Sequence, residues 1–80
     1  RDLGSYFENY IYLKLRNRKE LYYLYEDGNE IDFFTGDKIL IESKYNSELN
    51  IKQKALFDEY EAEKKLVIDS VKNLKLLDEI

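Results

Sequence analysis

The segment from Glu30 to Tyr45, EIDFFTGDKILIESKY, constrains the fold of this chain more than any other segment. It contains two runs of mainly aliphatic and aromatic residues. Strands are usually about five to eight residues long, and each run can form one. The turn-forming pair Gly36-Asp37 separates the two runs. The segment therefore predicts two β-strands joined by a tight loop.

The length of that loop decides which side chains share a face of the sheet. We predict that Ile31 and Phe33 lie on one face of the first strand, and Ile39 and Ile41 on one face of the second. Side chains alternate between the two faces of a strand. These four residues can therefore be buried together only if the loop holds an odd number of residues.

By the same parity, Asp32, Glu42 and Lys44 fall together on the opposite face. If the loop is Gly36–Lys38, Asp32 lies directly opposite Glu42, and a register shifted by two residues makes them diagonal neighbours. Two facing carboxylates repel each other unless a cation compensates them. The cofactor that this pair predicts is Mg²⁺ (or Mn²⁺), because Mg²⁺ favours one or two carboxylates together with water and phosphate oxygens.

Two further groups extend the predicted metal site. Lys44, two residues beyond Glu42, is placed to orient a water molecule and to stabilise the charge that develops on a phosphate. The backbone carbonyl of Ser43 can point to the same ion. These residue types together predict cleavage of a phosphodiester bond.

The rest of the chain predicts an α/β protein with a small mixed sheet flanked by helices. In order, the predicted elements are a helix from Gly4-Ser5 to about Asn17, a strand at Leu21–Tyr25, a turn at residues 26–29, the two strands above, a helix from Leu49 to about Ala62 and a strand at Lys65–Asp69. On the second helix we predict an inner stripe of Leu49, Leu56 and Tyr60, flanked by Ala55 and Phe57. The final helix-then-strand order indicates a crossover to a neighbouring parallel strand. The order is αβββαβ, and residues 71–80 are compatible with a strand or a helix.

Composition excludes several classes of chemistry. The 80 residues form one domain and contain no cysteine or histidine, which excludes disulfides, thiolate or imidazole metal sites and Ser-His or Cys-His nucleophiles. No apolar run reaches the roughly 20 residues that span a bilayer, so we expect a cytoplasmic protein without membrane contact. The absence of methionine suggests a piece of a longer chain, and the heavy use of Lys, Glu and Ile is typical of a thermophile.

The acidic and basic residues resemble a known nuclease motif. Asp32, followed ten residues later by Glu42-Ser43-Lys44 within an αβββαβ order, is similar to the PD-(D/E)xK nuclease superfamily, which includes archaeal Holliday-junction resolvases and many restriction enzymes. The sequence motifs are more similar to one branch of the superfamily, the nuclease-like C-terminal domain of archaeal and bacterial AAA-type (P-loop) ATPases of unknown function. The matching motifs are Phe7-Glu8-Asn9, Glu30-Ile31-Asp32-Phe33 and Ile41-Glu42-Ser43-Lys44.

This resemblance extends from Gly4 to about Ser70 and implies a restriction-endonuclease-like fold. It implies DNA as a partner and an N-terminal ATPase module in the same parent chain, and it is compatible with a homo-oligomer. Asp32 and Glu42, with Ser43, would be metal ligands, whereas Lys44 and Glu8 would be catalytic residues. The sequence departs from the superfamily name at residue 31, where isoleucine replaces proline.

Alternatives remain for individual residues and for the function. Glu8 lies three residues after Ser5, where it would complete a capping box instead of serving a metal. The eight tyrosines are expected in packing and interfaces, with Tyr45, next to Lys44, as the aromatic residue closest to the predicted site. The net charge of −4 favours a second function, a catalytically silent nuclease-fold module that binds DNA or protein and regulates the attached ATPase.

Overall fold

The structure, a computed structural model, describes residues 3–26 and 28–80. A four-stranded mixed sheet carries helices on both faces, which confirms the predicted α/β class and the order αβββαβ. The elements are α1 (Leu3–Leu15), β1 (Leu21–Glu26), β2 (Asn29–Thr35), β3 (Ile39–Ser43), α2 (Ile51–Glu59), β4 (Lys64–Ile68) and a C-terminal 3-10 helix (Val71–Glu79). Over the described ranges, no helix combines the length and apolar character needed to cross a membrane.

The strands lie side by side in chain order, β1-β2-β3-β4. β1 and β3 are antiparallel to β2, whereas β4 is parallel to β3. Parallel neighbours need a crossover connection, and α2 forms it. The crossover predicted from the helix-then-strand order is therefore confirmed.

Apolar side chains on the two faces of the sheet form two separate cores. On one face, Phe7, Ile11 and Leu15 of α1 recur every four residues and so lie along one side of the helix. The buried residues that they meet are Phe33, Ile39, Ile41, Ile68 and Leu77. On the other face, Phe57 of α2 packs with Ile31 and Leu40. Because helices cover both faces, the central strand β3 is buried over four successive residues.

The loop between β2 and β3 is Gly36–Lys38, the odd length that parity requires, so this prediction is confirmed. Lys38 has a φ of 65° and occupies the left-handed position that commonly ends a three-residue hairpin loop. Its N–H donates to the carbonyl oxygen of Thr35 at 2.9 Å. In the preceding hairpin, Gly28 has a φ of 78°, whereas Asp27 of the predicted turn lies outside the described residues.

The prediction that Ile31 and Phe33 share a face of β2 is wrong. Between two correctly paired regions of β1 and β2, the single residue Tyr23 faces two residues of β2, Asp32 and Phe33. This β-bulge shifts the alternation of side chains by one residue. Ile31 therefore belongs to the core beneath α2, whereas Phe33 belongs to the core beneath α1.

The first helix begins earlier than predicted. α1 starts at Leu3, so Gly4 and Ser5 lie inside its first turn and the predicted capping box between Ser5 and Glu8 is wrong. The helix also ends at Leu15, two residues before the predicted end. Glu8 is therefore in the second turn, where its side chain is available for another role.

The second helix is shorter than predicted at both ends. Asn50 and Gln53 form a reciprocal capping box: the N–H of Gln53 donates to Oδ1 of Asn50 at 2.8 Å, and the N–H of Asn50 donates to Oε1 of Gln53 at 3.2 Å. The helix ends at Glu59. Phe57, predicted beside the inner stripe, is its buried centre, whereas Ala55 is exposed.

The C-terminal segment, which the sequence left undecided, is the 3-10 helix Val71–Glu79. Its Leu77 is fully buried in the core beneath α1. The guanidinium group of Arg18 donates to the carbonyl oxygens of Leu77 at 3.2 Å and Ile80 at 2.6 Å. These contacts join the last segment to the turn that follows α1.

Candidate metal centre

Asp32 and Glu42 lie where β2 and β3 separate. Phe33 pairs with Ile41, so the register places Asp32 opposite Glu42, as the odd loop predicted. At this position, side-chain carboxyl oxygens accept the hydrogen bonds of backbone N–H groups that carbonyl oxygens of the neighbouring strand would otherwise accept. The N–H of Asp32 donates to Oε1 of Glu42 at 3.1 Å, and the N–H of Ser43 donates to Oδ2 of Asp32 at 2.8 Å.

Glu42 is the most deeply buried acidic side chain that the structure describes. Its residue is only 1% exposed, and although Oε1 accepts the Asp32 N–H, Oε2 is buried without a hydrogen-bond partner. A buried carboxylate without full compensation is costly, on the order of several kcal/mol. The carboxyl group of Asp32 lies within hydrogen-bonding range of Glu42, so either a shared proton or a bound cation can compensate the pair.

Asp32 and Glu8 hold their protons more tightly than ordinary carboxyl groups. Burial, followed by the neighbouring Glu42, raises the pKa of Asp32 from 3.8 to about 7. Burial, followed by the charge of Asp32, raises the pKa of Glu8 from 4.5 to about 7, against an opposing influence of Lys44. The two carboxyl groups are therefore neighbours, and α1 brings Glu8 to the separated strands.

Lys44 supplies the positive charge of this region. It follows the end of β3, and its backbone N–H donates to the carbonyl oxygen of Ile68 at 3.0 Å, which fixes the main chain against β4. Its charge is close enough to Glu8 to lower the pKa of that carboxyl group. Among residues 3–26 and 28–80, no carboxylate pairs with its ammonium group within 4.0 Å. The ammonium group is thus available to an incoming anion.

The backbone of Ser43 also faces the carboxylates. Its N–H points toward β2, where it reaches Asp32. In an extended strand, the N–H and C=O of one residue point to the same side, because paired residues exchange both bonds. By this geometry the carbonyl oxygen of Ser43 is expected on the side of β2, and its role as a metal ligand stays a prediction.

The donor atoms present fit a hard divalent cation. Carboxylate and carbonyl oxygens are the ligands that Mg²⁺ takes from proteins, and it keeps several waters besides. Among the residues that the structure describes, no three acidic side chains form a group that could hold a metal ion alone. A metal here would accordingly use the two carboxylates of Asp32 and Glu42, and Glu8 would not be a direct ligand.

The tyrosines divide between packing and the surface of this region. The ring of Tyr45, which follows Lys44, packs against Phe7 with ring centroids 4.9 Å apart, in agreement with the packing role expected of the tyrosines. Tyr12, Tyr22 and Tyr23 border Asp32 instead. The positions of these tyrosines in the sequence do not predict that they lie near Asp32, because the relative placement of α1 and β1 depends on the tertiary structure.

We compared the chain with family models, with curated proteins and with solved structures, and none of them matched. The resemblance to PD-(D/E)xK nucleases therefore remains a prediction that rests on the residues described above.

Proposed function

We propose that this chain is a nuclease-like module that hydrolyses DNA phosphodiester bonds with the help of Mg²⁺ or Mn²⁺. The observation that carries the proposal is the buried Oε2 of Glu42, which lacks a hydrogen-bond partner beside a second carboxylate. A stable core rarely keeps such a group without a reason, and strained or uncompensated polar groups cluster at functional sites. A bound cation would offset the free-energy cost of burying the Glu42 carboxylate, and both carboxylates would then serve as its ligands.

The residues divide into those that hold the ion and those that act on the substrate. Asp32 and Glu42 would hold the metal with their carboxylates, and Ser43 with its carbonyl oxygen. When bound, the ion would supply positive charge for the phosphate and make a water molecule more acidic. The electrostatic repulsion between Asp32 and Glu42 is the feature of the chain that selects for a cation at this position.

Lys44 and Glu8 would carry out the other steps. The ammonium group of Lys44 would bind a phosphate oxygen and stabilise the charge that accumulates on it as the bond to the attacking water forms. Glu8, with a pKa of about 7, is close to half ionised at neutral pH and can accept a proton from water or return one to a leaving group. Each role uses a group that the structure leaves near the separated strands.

The same resemblance supports wider proposals about the parent protein. The module would be the C-terminal domain of a cytoplasmic P-loop ATPase, acting on DNA that the ATPase engages. Assembly as a homo-oligomer would be compatible with such a parent. These proposals rest on the matching sequence motifs and on the αβββαβ order.

A second candidate function is a silent nuclease-fold module that binds DNA or a protein and regulates the attached ATPase. Two observations favour it. The net charge is −4, unlike the basic surface of most proteins that hold nucleic acid. In addition, the carboxylates of Asp32 and Glu42 already accept backbone N–H groups, so they have a structural use without a metal.

Titration with Mg²⁺ and Mn²⁺ distinguishes the two functions. We expect saturable NMR shifts at Asp32, Glu42 and Lys44 that disappear in Asp32→Ala and persist in the control Asp58→Ala, whose exposed carboxylate lies on α2. Cleavage of single-stranded, duplex and branched DNA is then measured in the same metals. Absence of shifts at millimolar metal would rule out the nuclease function and leave the silent module.

A further inference from the structure

A hollow beside the candidate metal centre is lined mainly by aromatic and apolar side chains. It has a volume of about 220 Å³, smaller than the roughly 300–1,000 Å³ of pockets for drug-sized ligands, and so fits one ring system. Its lining residues are Glu8, Tyr12, Leu21, Tyr22, Tyr23, Asp32 and Phe33. We call it the tyrosine hollow.

The three tyrosines that border the hollow are all exposed. Their exposed fractions are 42% for Tyr12, 53% for Tyr22 and 61% for Tyr23. Large aromatic side chains that form a contiguous exposed patch mark binding surfaces more often than isolated ones do. They come from α1 and β1, which approach each other at this edge of the sheet.

Hydrogen bonds hold two of the rings by their hydroxyl groups. The hydroxyl of Tyr22 donates to Oε2 of Glu20 at 3.1 Å, and the hydroxyl of Tyr23 donates to Oε2 of Glu30. Tyr22 lies opposite Phe34 on the α2 side of the sheet, so it borders the hollow without presenting its ring, whereas Tyr23 lies on the α1 side and presents ring carbons. An aromatic side chain with a fixed orientation loses little conformational entropy when a ligand stacks on it.

The bulge in β2 connects the hollow to the metal centre. Tyr23 of β1 faces both Asp32 and Phe33 of β2 at the bulge. The bulge therefore places Tyr23 of the hollow beside Asp32 of the metal centre. Asp32 and Glu8 border the hollow and also form the carboxyl cluster near Glu42. A ligand in the hollow would therefore lie next to the groups that are proposed to act on a phosphodiester bond.

We propose that the tyrosine hollow takes one unstacked nucleobase of single-stranded DNA and so selects single strands, or frayed ends, over intact duplex. This inference rests on the proposed function, since it names the substrate class of that site. Stacking of bases on aromatic side chains tolerates any sequence, because every base has a π face. A base inside a duplex cannot enter such a hollow without leaving its own stack.

The chemistry of the lining favours a base over an apolar side chain of a protein partner. A nucleobase presents a π face to the tyrosines and, at its edge, amino N–H groups that a carboxyl group can accept, as Asp and Glu accept from the amino group of cytosine. A leucine or phenylalanine side chain in the same place would offer no hydrogen-bond donor to the carboxyl groups of Glu8 and Asp32. The mixed lining thus complements a base.

Neutral 2′-deoxynucleosides test the hollow without phosphate or metal. We expect that titration with deoxycytidine and deoxyguanosine in EDTA shifts the ring resonances of Tyr12 and Tyr23 in protein carrying ¹³C-labelled tyrosine. Tyr12→Leu and Tyr23→Leu should bind about tenfold more weakly, within the range expected for loss of one stacked base. Tyr12→Phe keeps the ring and should keep the affinity, which also controls for folding. Tyr23→Phe keeps the ring but loses its bond to Glu30, so it should bind less weakly than Tyr23→Leu.

Tyr25→Leu is the matched control, because Tyr25 is an exposed tyrosine of the same strand that does not line the hollow. Its nucleoside affinity should be unchanged, and a short single-stranded oligonucleotide should shift the same rings at lower concentration than its duplex. No shifts, or an equal loss in Tyr25→Leu, overturns the proposal. Shifts with N-acetyltryptophanamide but not with nucleosides would also overturn it, in favour of a protein partner.

Failure of the nuclease function and failure of this inference give different results. Ring shifts by nucleosides in a protein that neither binds Mg²⁺ nor cleaves DNA would leave the base-binding hollow in place and remove the proposed catalysis. Metal-dependent cleavage of duplex and single strands at equal rates, without ring shifts, would leave the nuclease and remove the hollow.

Discussion

The backbone N–H of Asp32 donates to the side chain of Glu42 at 3.1 Å across the gap between β2 and β3. The strands can separate there because side-chain oxygens replace the carbonyl groups that a continued ladder would have supplied. One oxygen of Glu42 is used in this way, and the other remains buried without a partner. The fold thus holds two carboxyl groups close together, where a shared proton or a cation can compensate them.

Replacing Glu42 by glutamine should stabilise the metal-free protein. The substitution keeps the acceptor that Asp32 uses and removes a buried charge beside another acid, so we expect the free energy of unfolding at pH 8 to rise by about 1 kcal/mol. The response of the melting temperature to Mg²⁺ should disappear. Thermal melts with and without Mg²⁺, beside Glu48→Gln as an exposed acidic control, measure both effects. An unchanged response to Mg²⁺ would contradict the assignment of Glu42 as a ligand.

Replacing Lys44 by alanine should separate catalysis from metal binding. Loss of one group that stabilises charge in the transition state costs about 10²–10³-fold in rate, so we expect cleavage to fall by at least that factor. The affinity for Mg²⁺ should be unchanged or slightly higher, because a nearby positive charge is removed. Cleavage rates and metal titrations of Lys44→Ala and of the exposed control Lys52→Ala test this. Parallel loss of metal binding and cleavage in Lys44→Ala would contradict the assigned role.

Stability should depend on pH through Asp32 and Glu8. Their folded-state pKa values of about 7 lie above the values of 3.8 and 4.5 for free side chains, so the protonated carboxyls stabilise the fold fully below about pH 4. That stabilisation is lost as the pH rises through about 7. Discounted for the partial exposure of Asp32, we expect a loss of about 2 kcal/mol from its titration.

Urea unfolding from pH 4 to pH 8.5 measures this loss, and Asp32→Asn should flatten the profile over the same range. Added Mg²⁺ should restore stability at pH 8 more than at pH 6, because protons compete with the metal for the same oxygens. A wild-type stability that rises between pH 5 and pH 8 without metal would show that the carboxyl groups are not held protonated by the fold.

The C-terminal 3-10 helix should contribute strongly to stability. Leu77 is fully buried in the core beneath α1, and Leu77→Ala should lower the free energy of unfolding by about 2–5 kcal/mol, as large-to-small changes in a core do. Val71→Ala, at a position that is 69% exposed in the same helix, should change it by less than about 0.5 kcal/mol. Chemical denaturation of both variants checks this, and equal effects would show that the segment does not pack as described.

The loop between β2 and β3 was enough to predict much of the candidate site. Residue type and the parity of the loop placed Asp32 opposite Glu42 and required the loop Gly36–Lys38, because the register of two strands joined by a short loop follows from the loop length. The alternation of β2 itself is broken at Asp32 and Phe33 by the β-bulge. The order αβββαβ and the parallel crossover followed from element lengths and from the chirality of connections.

Errors arose where a neighbouring element overrode local pattern. Ile31 and Phe33 lie on different faces because β1 pairs with β2 through a bulge, and no local signal of Asp32 or its neighbours encodes that bulge. Tyr45 follows Lys44 in the sequence, and the layer of α1 decides that its ring packs on Phe7. Pairing between strands and packing between layers depend on contacts that are distant in the sequence. The hydrophobic periodicity of one segment therefore does not predict them.

The sequence by itself determined which acids and which lysine can meet, because two short strands and an odd loop leave their side chains little freedom of direction. Only the tertiary structure decided that Glu42 is buried, that β2 carries a bulge at Asp32 and that Glu8, Tyr12 and Tyr23 lie beside Asp32. The physical reason is that burial, pKa and bulges depend on every strand and layer packed around a group, whereas the length of a tight loop is a local property of the chain.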